Sequence, residues 1–359
     1  MPTAPFESKS KRRLEIPVPG QRPLAVDRWD GVRPGPRVYI GAGLHGNEIN
    51  GPALLHKTKE ALAEVEFTGT LFFAPVLNIS GYRQNLRLFQ PFNIDLNRVF
   101  PGSPTGTPAQ VRAHVIFTEV LQYCEAGLDL HDAGDRNILL PHIRVHRGPE
   151  GEAPDTASLK LGRLAGTNII FEQPGTPGML AVEATKLFKK TFLTLEVGGG
   201  GVLWPEFLSE GVAAVLNILR ALKVLEGVIK VPRYQFLLEE RVHYRAPFAG
   251  LIQFTAQLGQ AVHTGDLLAT AIDPIDGRTA QVVSQECGVL FDVRLAGRAE
   301  NRQHVASVLQ FGVCPSHPST KPNIDREHIL INDPAPGVAI KTEGTFVHHL
   351  PLIIEKSSA

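Results

Sequence analysis

The sequence predicts an α/β fold, a mostly parallel or mixed sheet flanked by helices, followed by a small all-β C-terminal domain. Three observations predict it. Compact β-prone runs alternate with amphipathic helical stretches up to Leu225, the pattern of a sheet with helices on its faces. After Gly227 the pattern becomes short β-prone runs separated by Gly, Pro and Asp, with no good helix up to Gln310. The chain has 359 residues, more than the roughly 150 of an average domain. The division that follows is 1–228 for an α/β domain and 229–359 for a β-rich domain with a C-terminal extension.

Each element has its own signal. Residues 14–31 read as two short strands about the Pro19-Gly20 turn, and Arg37 to Ile40 is a compact strand stopped by Gly41-Ala42-Gly43. From Pro52 to Val65 the residues Leu54, Leu55, Ala61, Leu62 and Val65 recur at helical spacing, with proline tolerated near the helix start. Thr70 to Val76 is the next apolar run and Val111 to Tyr123 the next helix. Leu128–His131, Asn168–Phe171 and Phe192–Glu196 read as short buried strands. Trp204 to Leu225 is an amphipathic helix with Phe207, Val215, Ile218, Leu219 and Leu222 along one stripe. Residues 315–359 hold several prolines and few periodic runs, and the pattern assigns them no element.

Composition excludes classes without choosing a function. Thirty-six basic residues balance thirty-six acidic ones, so no strong field draws the chain to nucleic acid or an anionic membrane. No apolar run approaches the ~20 residues needed to span a bilayer. Lys9, Lys11, Arg12 and Arg13 are not followed by the apolar stretch of a signal peptide, which points to the cytoplasm. Cys124, Cys287 and Cys314 are far apart and odd in number, which argues against a disulfide framework or a cysteine-built zinc site.

The sharpest chemical signal is Gly43-Leu44-His45-Gly46-Asn47-Glu48. An imidazole and a carboxylate three residues apart, just after a strand, can turn toward one point at the sheet's C-terminal edge, where open α/β sheets place ligands. Both are zinc ligands by type, and a catalytic zinc needs a third protein ligand and an open position. His131, ending the strand before Asp132, supplies a candidate third. With 13 histidines in the chain, each taken alone also reads as an ordinary strand-end residue. Glu196 closes another buried strand and precedes Val197 and Gly198 to Gly201, a backbone able to pass close to a ligand. It is the candidate proton shuttle. A third cluster is Arg87 with Asp95-Leu96-Asn97-Arg98-Val99-Phe100-Pro101-Gly102. Arginine holds a carboxylate through two parallel hydrogen bonds, and a second one can face a developing oxyanion. Surface charge beside a Pro-Gly turn is the bland alternative.

Taken in order, the His-x-x-Glu pair, Asn78-x-x-Gly81, Arg87, the Asp95 to Gly102 run, His131 and the Glu196-Val197-Gly198 end resemble the succinylglutamate desuccinylase/aspartoacylase family. That family is the deacylase branch of the zinc carboxypeptidase-like fold. The resemblance covers roughly residues 35–225. It implies one zinc ion per chain held by His45, Glu48 and His131, with Glu196 as general base and acid. It also implies Arg87 near the scissile carbonyl oxygen, and Asn97 with Arg98 clamping a substrate carboxylate. Where aspartoacylase-like relatives carry a further substrate-binding arginine before the catalytic glutamate, this chain has Lys186, a point charge in place of a planar fork.

The β-rich part is similar to lipoyl- and biotinyl-type barrel-sandwich domains, through Ala246-Pro247-x-x-Gly250 and Gly259-x-x-Val262-x-x-Gly265-Asp266. A carrier domain needs a lysine at its hairpin tip, and no lysine lies between Lys230 and Lys321. A covalent carrier role is thereby excluded, and the module is expected to shape the active-site rim or a subunit contact, with Tyr244 within conceivable reach. The leading expectation is a zinc-dependent amidohydrolase removing an acyl group from a small N-acyl amino acid or related amine. A zinc carboxypeptidase acting on peptide C-termini is the alternative within enzymes, and a catalytically inactive metabolite-binding protein the alternative outside them. The expected partner is a small-molecule N-acyl substrate, with neither nucleic acid nor membrane, and a homo-oligomer stays open.

Overall fold

The structure is a computed structural model that describes residues 4–147, 154 and 156–310, together with the backbone of two short strands, Ile329–Ile331 and Ile340–Glu343. The first half runs β1 (Lys11–Ile16), β2 (Leu24–Asp30), β3 (Arg33–Ala42), α1 (Asn50–Leu62), β4 (Thr68–Ala74), α2 (Ile79–Gln84), α3 (Pro108–Glu119), β5 (Ala126–His131), β6 (Asn137–Arg147), α4 (Thr156–Ala165), β7 (Ile169–Pro174), α5 (Leu180–Phe188), β8 (Thr191–Gly199) and α6 (Pro205–Ala221). The second half is all-β, as expected: β9 (Ile229–Pro232), β10 (Tyr234–Leu238), β11 (Arg241–Arg245), β12 (Gly250–Phe254), β13 (Ala261–Val262), β14 (Leu267–Ile272), β15 (Thr279–Val283), β16 (Gly288–Arg294), β17 (Arg298–Ala299) and β18 (His304–Gln310).

The α/β sheet is mixed. Its centre, β4-β3-β5-β8, is parallel, while β2 joins β4 antiparallel and β6 joins β8 antiparallel. Central strands are buried on both faces, so they read as continuous apolar runs instead of alternating ones. On one face α1 and α6 contribute Leu54, Leu55, Val215, Ile218 and Leu219 to a core with Val38, Ile40, Leu128 and Leu193. On the other, α3 and α5 contribute Ile116, Phe117, Leu180 and Ala184 against Tyr39, Phe72 and Phe192. No helix among the described residues is long and apolar enough to cross a membrane.

The change of character near residue 228 is not a break in hydrogen bonding. β16 pairs antiparallel with β6, and β10 lies parallel to β7, so the first sheet continues into β16, β18 and β11. A second sheet, β15-β14-β12-β17, packs its Ile252, Leu268 and Ala271 against Leu290, Val305 and Val308 of that continuation. The tail, which the sequence left without elements, touches the body through Ile329–Ile331 beside β10 and Ile340–Glu343 beside β9; the rest of 315–359 lies outside the described residues. Cysteine pairing also departs from expectation. Cys124 is free and buried, but Cys287 is disulfide-bonded. An odd count leaves room for one pair, and separation in sequence says nothing about distance in the fold.

Candidate active site

Three strand ends build the site. β3 runs out at Ala42, and the loop through His45 and Glu48 leads straight into α1. β5 ends on His131, and β8 carries Glu196 as the register partner of His131. Gly46 lets this loop press on α2, since a Cβ there would sit 2.1 Å from the Gly81 carbonyl carbon. The helix is fixed in turn by Asn78, whose Oδ1 accepts from the Gly81 N–H at 2.9 Å. The start of α1 is capped from another strand: Asp132 Oδ2 accepts from the Asn50 backbone N–H at 2.8 Å and from Asn50 Nδ2 at 3.0 Å.

His45, Glu48 and His131 are buried together, with one candidate ligand atom from each lying within 4.8 Å of the others. His45 Nδ1 is 2.6 Å from Glu48 Oε1, and His131 Nδ1 is 2.7 Å from Glu48 Oε2. The far side of each ring is held: His45 Nε2 faces Asp95 Oδ1 at 3.1 Å, and His131 Nε2 faces Asp129 Oδ2 at 2.8 Å. A carboxylate at Nε2 fixes the proton there and turns the Nδ1 lone pair inward, the arrangement of metal-binding histidines. His45 Nδ1 is buried, and among the described residues its one close polar neighbour is the Glu48 carboxylate. Two inward lone pairs against one carboxylate repel unless positive charge sits between them, so these residues fit a divalent cation. Without one, protons take its place. Burial works against charge on all three, yet Glu48 raises the proton affinity of His45, and Asp129 with Glu48 does so strongly for His131. Both imidazoles hold the Glu48 carboxyl well below the usual range.

The remaining expected residues are brought to the same cavity of about 260 Å³, with one exception. Arg87 Nη1 donates to Glu48 Oε1 at 2.9 Å, and Arg87 Nη2 lies 3.5 Å from Asp95. Asn97 is buried, its Oδ1 accepting from the Leu180 N–H at the start of α5 at 2.8 Å, which leaves its amide nitrogen as donor. Arg98, exposed, donates from Nη1 to the Asn97 carbonyl at 2.7 Å. Glu196 is 6% exposed and lines the cavity. The exception is Lys186. It is exposed in the last turn of α5, whereas the cavity meets that helix at Met179, and seven helical residues span about 10 Å. Tyr244 does not reach the cavity either; its hydroxyl is occupied in the β core by Ser284 and the Gln285 N–H.

The structure adds residues the sequence did not single out. Arg144 on β6 places Nη1 3.1 Å from Glu196 Oε1, while its Nε donates to His142 Nε2 at 3.1 Å and His142 Nδ1 donates to the Leu140 carbonyl at 2.9 Å. His142, Arg144 and His146 alternate along one face of β6, a period-two signal that could have found them. Asp132 also lines the cavity, its carboxyl pushed up to about 7 by burial and by the charge of Glu48. The far wall comes from the β-rich half: Arg241, His243, Asp292 and His304. Asp292 is engaged by His304 Nε2 at 2.5 Å and by Ser307 Oγ. The Arg241 side chain makes no hydrogen bond among the described residues and only a loose ion pair, with Asp292 at 3.8 Å.

The chain is 26% identical over 250 residues to the N-alpha-acetyl-L-2,4-diaminobutyric acid deacetylase of Halomonas elongata, covering 67% of this chain and 71% of the relative. The product-bound structure of the ectoine utilization protein EutE (DoeB) from Ruegeria pomeroyi superposes with a TM-score of 0.73 at 22% identity, covering 86% of this chain and 98% of that one. A succinylglutamate desuccinylase from Silicibacter shares the fold with a TM-score of 0.72 at 20% identity, covering 86% and 98%. Residues 34–222, more than half of the chain, match the family described as the Succinylglutamate desuccinylase/Aspartoacylase catalytic domain, and with the strand-end His45, Glu48 and His131 in place the chain belongs to that family.

Proposed function

We propose that the protein is a zinc-dependent deacylase that hydrolyses the amide bond of a small N-acyl amino acid. The observation that carries the reading is the triad, two inward imidazole nitrogens and a carboxylate with both outer ring nitrogens pinned, beside a buried glutamate. A zinc ion held by His45, Glu48 and His131 would polarise the amide carbonyl and lower the pKa of water to about 7. Glu196 takes a proton from the attacking water and returns it to the leaving nitrogen, so one carboxylate serves as base and then acid. Arg144, fixed from behind by His142, keeps Glu196 oriented across the β6–β8 pair. Arg87 donates to the carbonyl oxygen as it becomes negative. Asn97 and Arg98 hold the substrate carboxylate.

A cavity of about 260 Å³ walled by β11, β16 and β18 favours a small acyl amino acid over a peptide, and so a deacylase over a carboxypeptidase. The Halomonas relative is named for a substrate with a second amino group. Here the far wall carries the Arg241 guanidinium, only loosely paired with Asp292 at 3.8 Å, beside His243, and that cation disfavours an ammonium group there. N-acyl amino acids with neutral or acidic side chains are therefore the expected substrates. The test is metal analysis of the purified chain, coupled to turnover on N-acetyl-, N-succinyl- and N-formyl-amino acids of each side-chain charge. Glu196→Gln should retain zinc and lose at least ~100-fold in turnover, within the range general acid–base groups contribute. Near-normal turnover in that variant, or a chain without metal, refutes the reading.

A further inference from the structure

We propose that the cavity between α2, the turn joining β1 to β2 and the start of α3 binds a small organic anion carrying an apolar ring. It measures about 470 Å³ against about 260 Å³ for the catalytic cavity, and the two share no lining residue. Its charge is one-sided. Arg22, Arg83 and Arg112 line it, and among the described residues no aspartate or glutamate does.

Arg112 is the telling residue. It is 2% exposed, with Nε donating to the Leu77 carbonyl and Nη1 donating to the Arg22 carbonyl at 3.1 Å, while the buried Nη2 has no hydrogen-bond partner among the described residues. Burial lowers its pKa only to about 10, so it stays charged at neutral pH. A buried cation without a counter-charge is costly, and a bound anion relieves that cost. Arg22 and Arg83 stand exposed at the mouth, their side chains without an ion pair or hydrogen bond among the described residues. Pro108 brings the start of α3 to the wall, and the first turn of that helix has no acidic residue to offset its positive end. Gln21 Oε1, also buried and unpartnered, adds an acceptor for a hydroxyl or protonated oxygen.

Water alone satisfies polar atoms; the rest of the wall asks for carbon. Phe89, Pro91 and Phe92 line the same cavity, and Phe92 is 54% exposed. Guanidinium groups facing an aromatic wall suit a carboxylate or phosphate attached to a ring.

The test titrates the metal-loaded full chain by calorimetry with phenyl phosphate, benzoate and inorganic phosphate. One ring-bearing anion should bind saturably at one site, about tenfold or more tighter than inorganic phosphate. Which of the two it is identifies the head group. Arg22→Ala/Arg83→Ala should weaken binding by about tenfold or more without changing deacylase turnover, since neither residue touches the catalytic cavity. Phe92→Ser should remove the preference over inorganic phosphate. These variants sit at the mouth, so the argument does not depend on the folding of an Arg112 variant. No saturable binding of either ring-bearing anion, equal binding of inorganic phosphate, or affinity unchanged in the double variant overturns the proposal; the last would place the ligand in the catalytic cavity.

Discussion

Glu48 is touched by three cationic or ionisable side chains at once, His45, His131 and Arg87, so its role is decided by what surrounds it. The same holds for Glu196, whose only ion-pair partner among the described residues is Arg144. Replacing Arg144 by Met leaves a buried carboxylate without its counter-charge and without the fork that aims it. Turnover should fall about tenfold or more while metal content stays at the wild-type level, measured by kcat and metal analysis on one preparation. Unchanged kcat would show that Glu196 is oriented by something else. Lys186→Ala gives the opposite expectation, kcat and KM within about twofold of wild type, because the side chain stands in solvent a helix length from the cavity. These residues show what was legible. His45, Glu48, His131 and Glu196 could be read because each ends or follows a buried strand, and strand ends converge in an α/β sheet. The alternation in β6 singles out His142, Arg144 and His146 as sharing a face, but nothing local reveals that Arg144 pairs with Thr194 on β8, two residues from Glu196.

Elements fix these side chains through close backbone contacts, and there the glycines matter most. A Cβ on Gly81 would lie 2.6 Å from both Asn78 Nδ2 and the Leu86 carbonyl oxygen. Gly81→Ala should therefore cost about 1–3 kcal/mol in chemical unfolding and shift α2 against the loop that presents Arg87. Thr107→Ala, which removes one half of the capping box on α3, should cost only about 1 kcal/mol and leave turnover intact. A third element-scale expectation concerns acid. Burial works against charge on Asp292, but hydrogen bonds from His304 and Ser307 and the charge of Arg241 more than offset it and lower its pKa. A carboxyl lowered on folding stabilises above its unfolded pKa of about 3.9 and loses that contribution as pH falls through the folded value. Stability should thus decline below about pH 4, and Asp292→Asn should flatten that decline in pH-resolved unfolding. β6 and α5 escaped the sequence reading for a local reason. β6 carries Pro141 in its middle, which breaks the run that marks a strand, and α5 has only nine residues, too few for periodicity to declare itself.

At the scale of the whole molecule the two halves share one sheet, and the catalytic cavity is walled by both. Metal binding should therefore stabilise the whole chain. A cation at a hundredfold excess over its dissociation constant adds about 2.7 kcal/mol, so a chelator should lower Tm by a few degrees and leave the far-ultraviolet spectrum unchanged, the triad resting on strand ends whose core stays buried. The sequence shows a change of composition near residue 228, but composition cannot show that β10 pairs with β7 or that β16 pairs with β6. Those pairings decide what happens when the halves are parted. A chain ending at residue 228 would expose the edges of β6 and β7 together with Leu140, Ile169 and Phe171, which now pack on Phe236, Val289 and Phe291. Open edges next to an apolar face template aggregation. The truncated chain should be recovered mainly as aggregate and without deacylase turnover, judged by size-exclusion chromatography and assay. A soluble, monomeric and active fragment would mean that β11, β16 and β18 merely lean on a site complete without them.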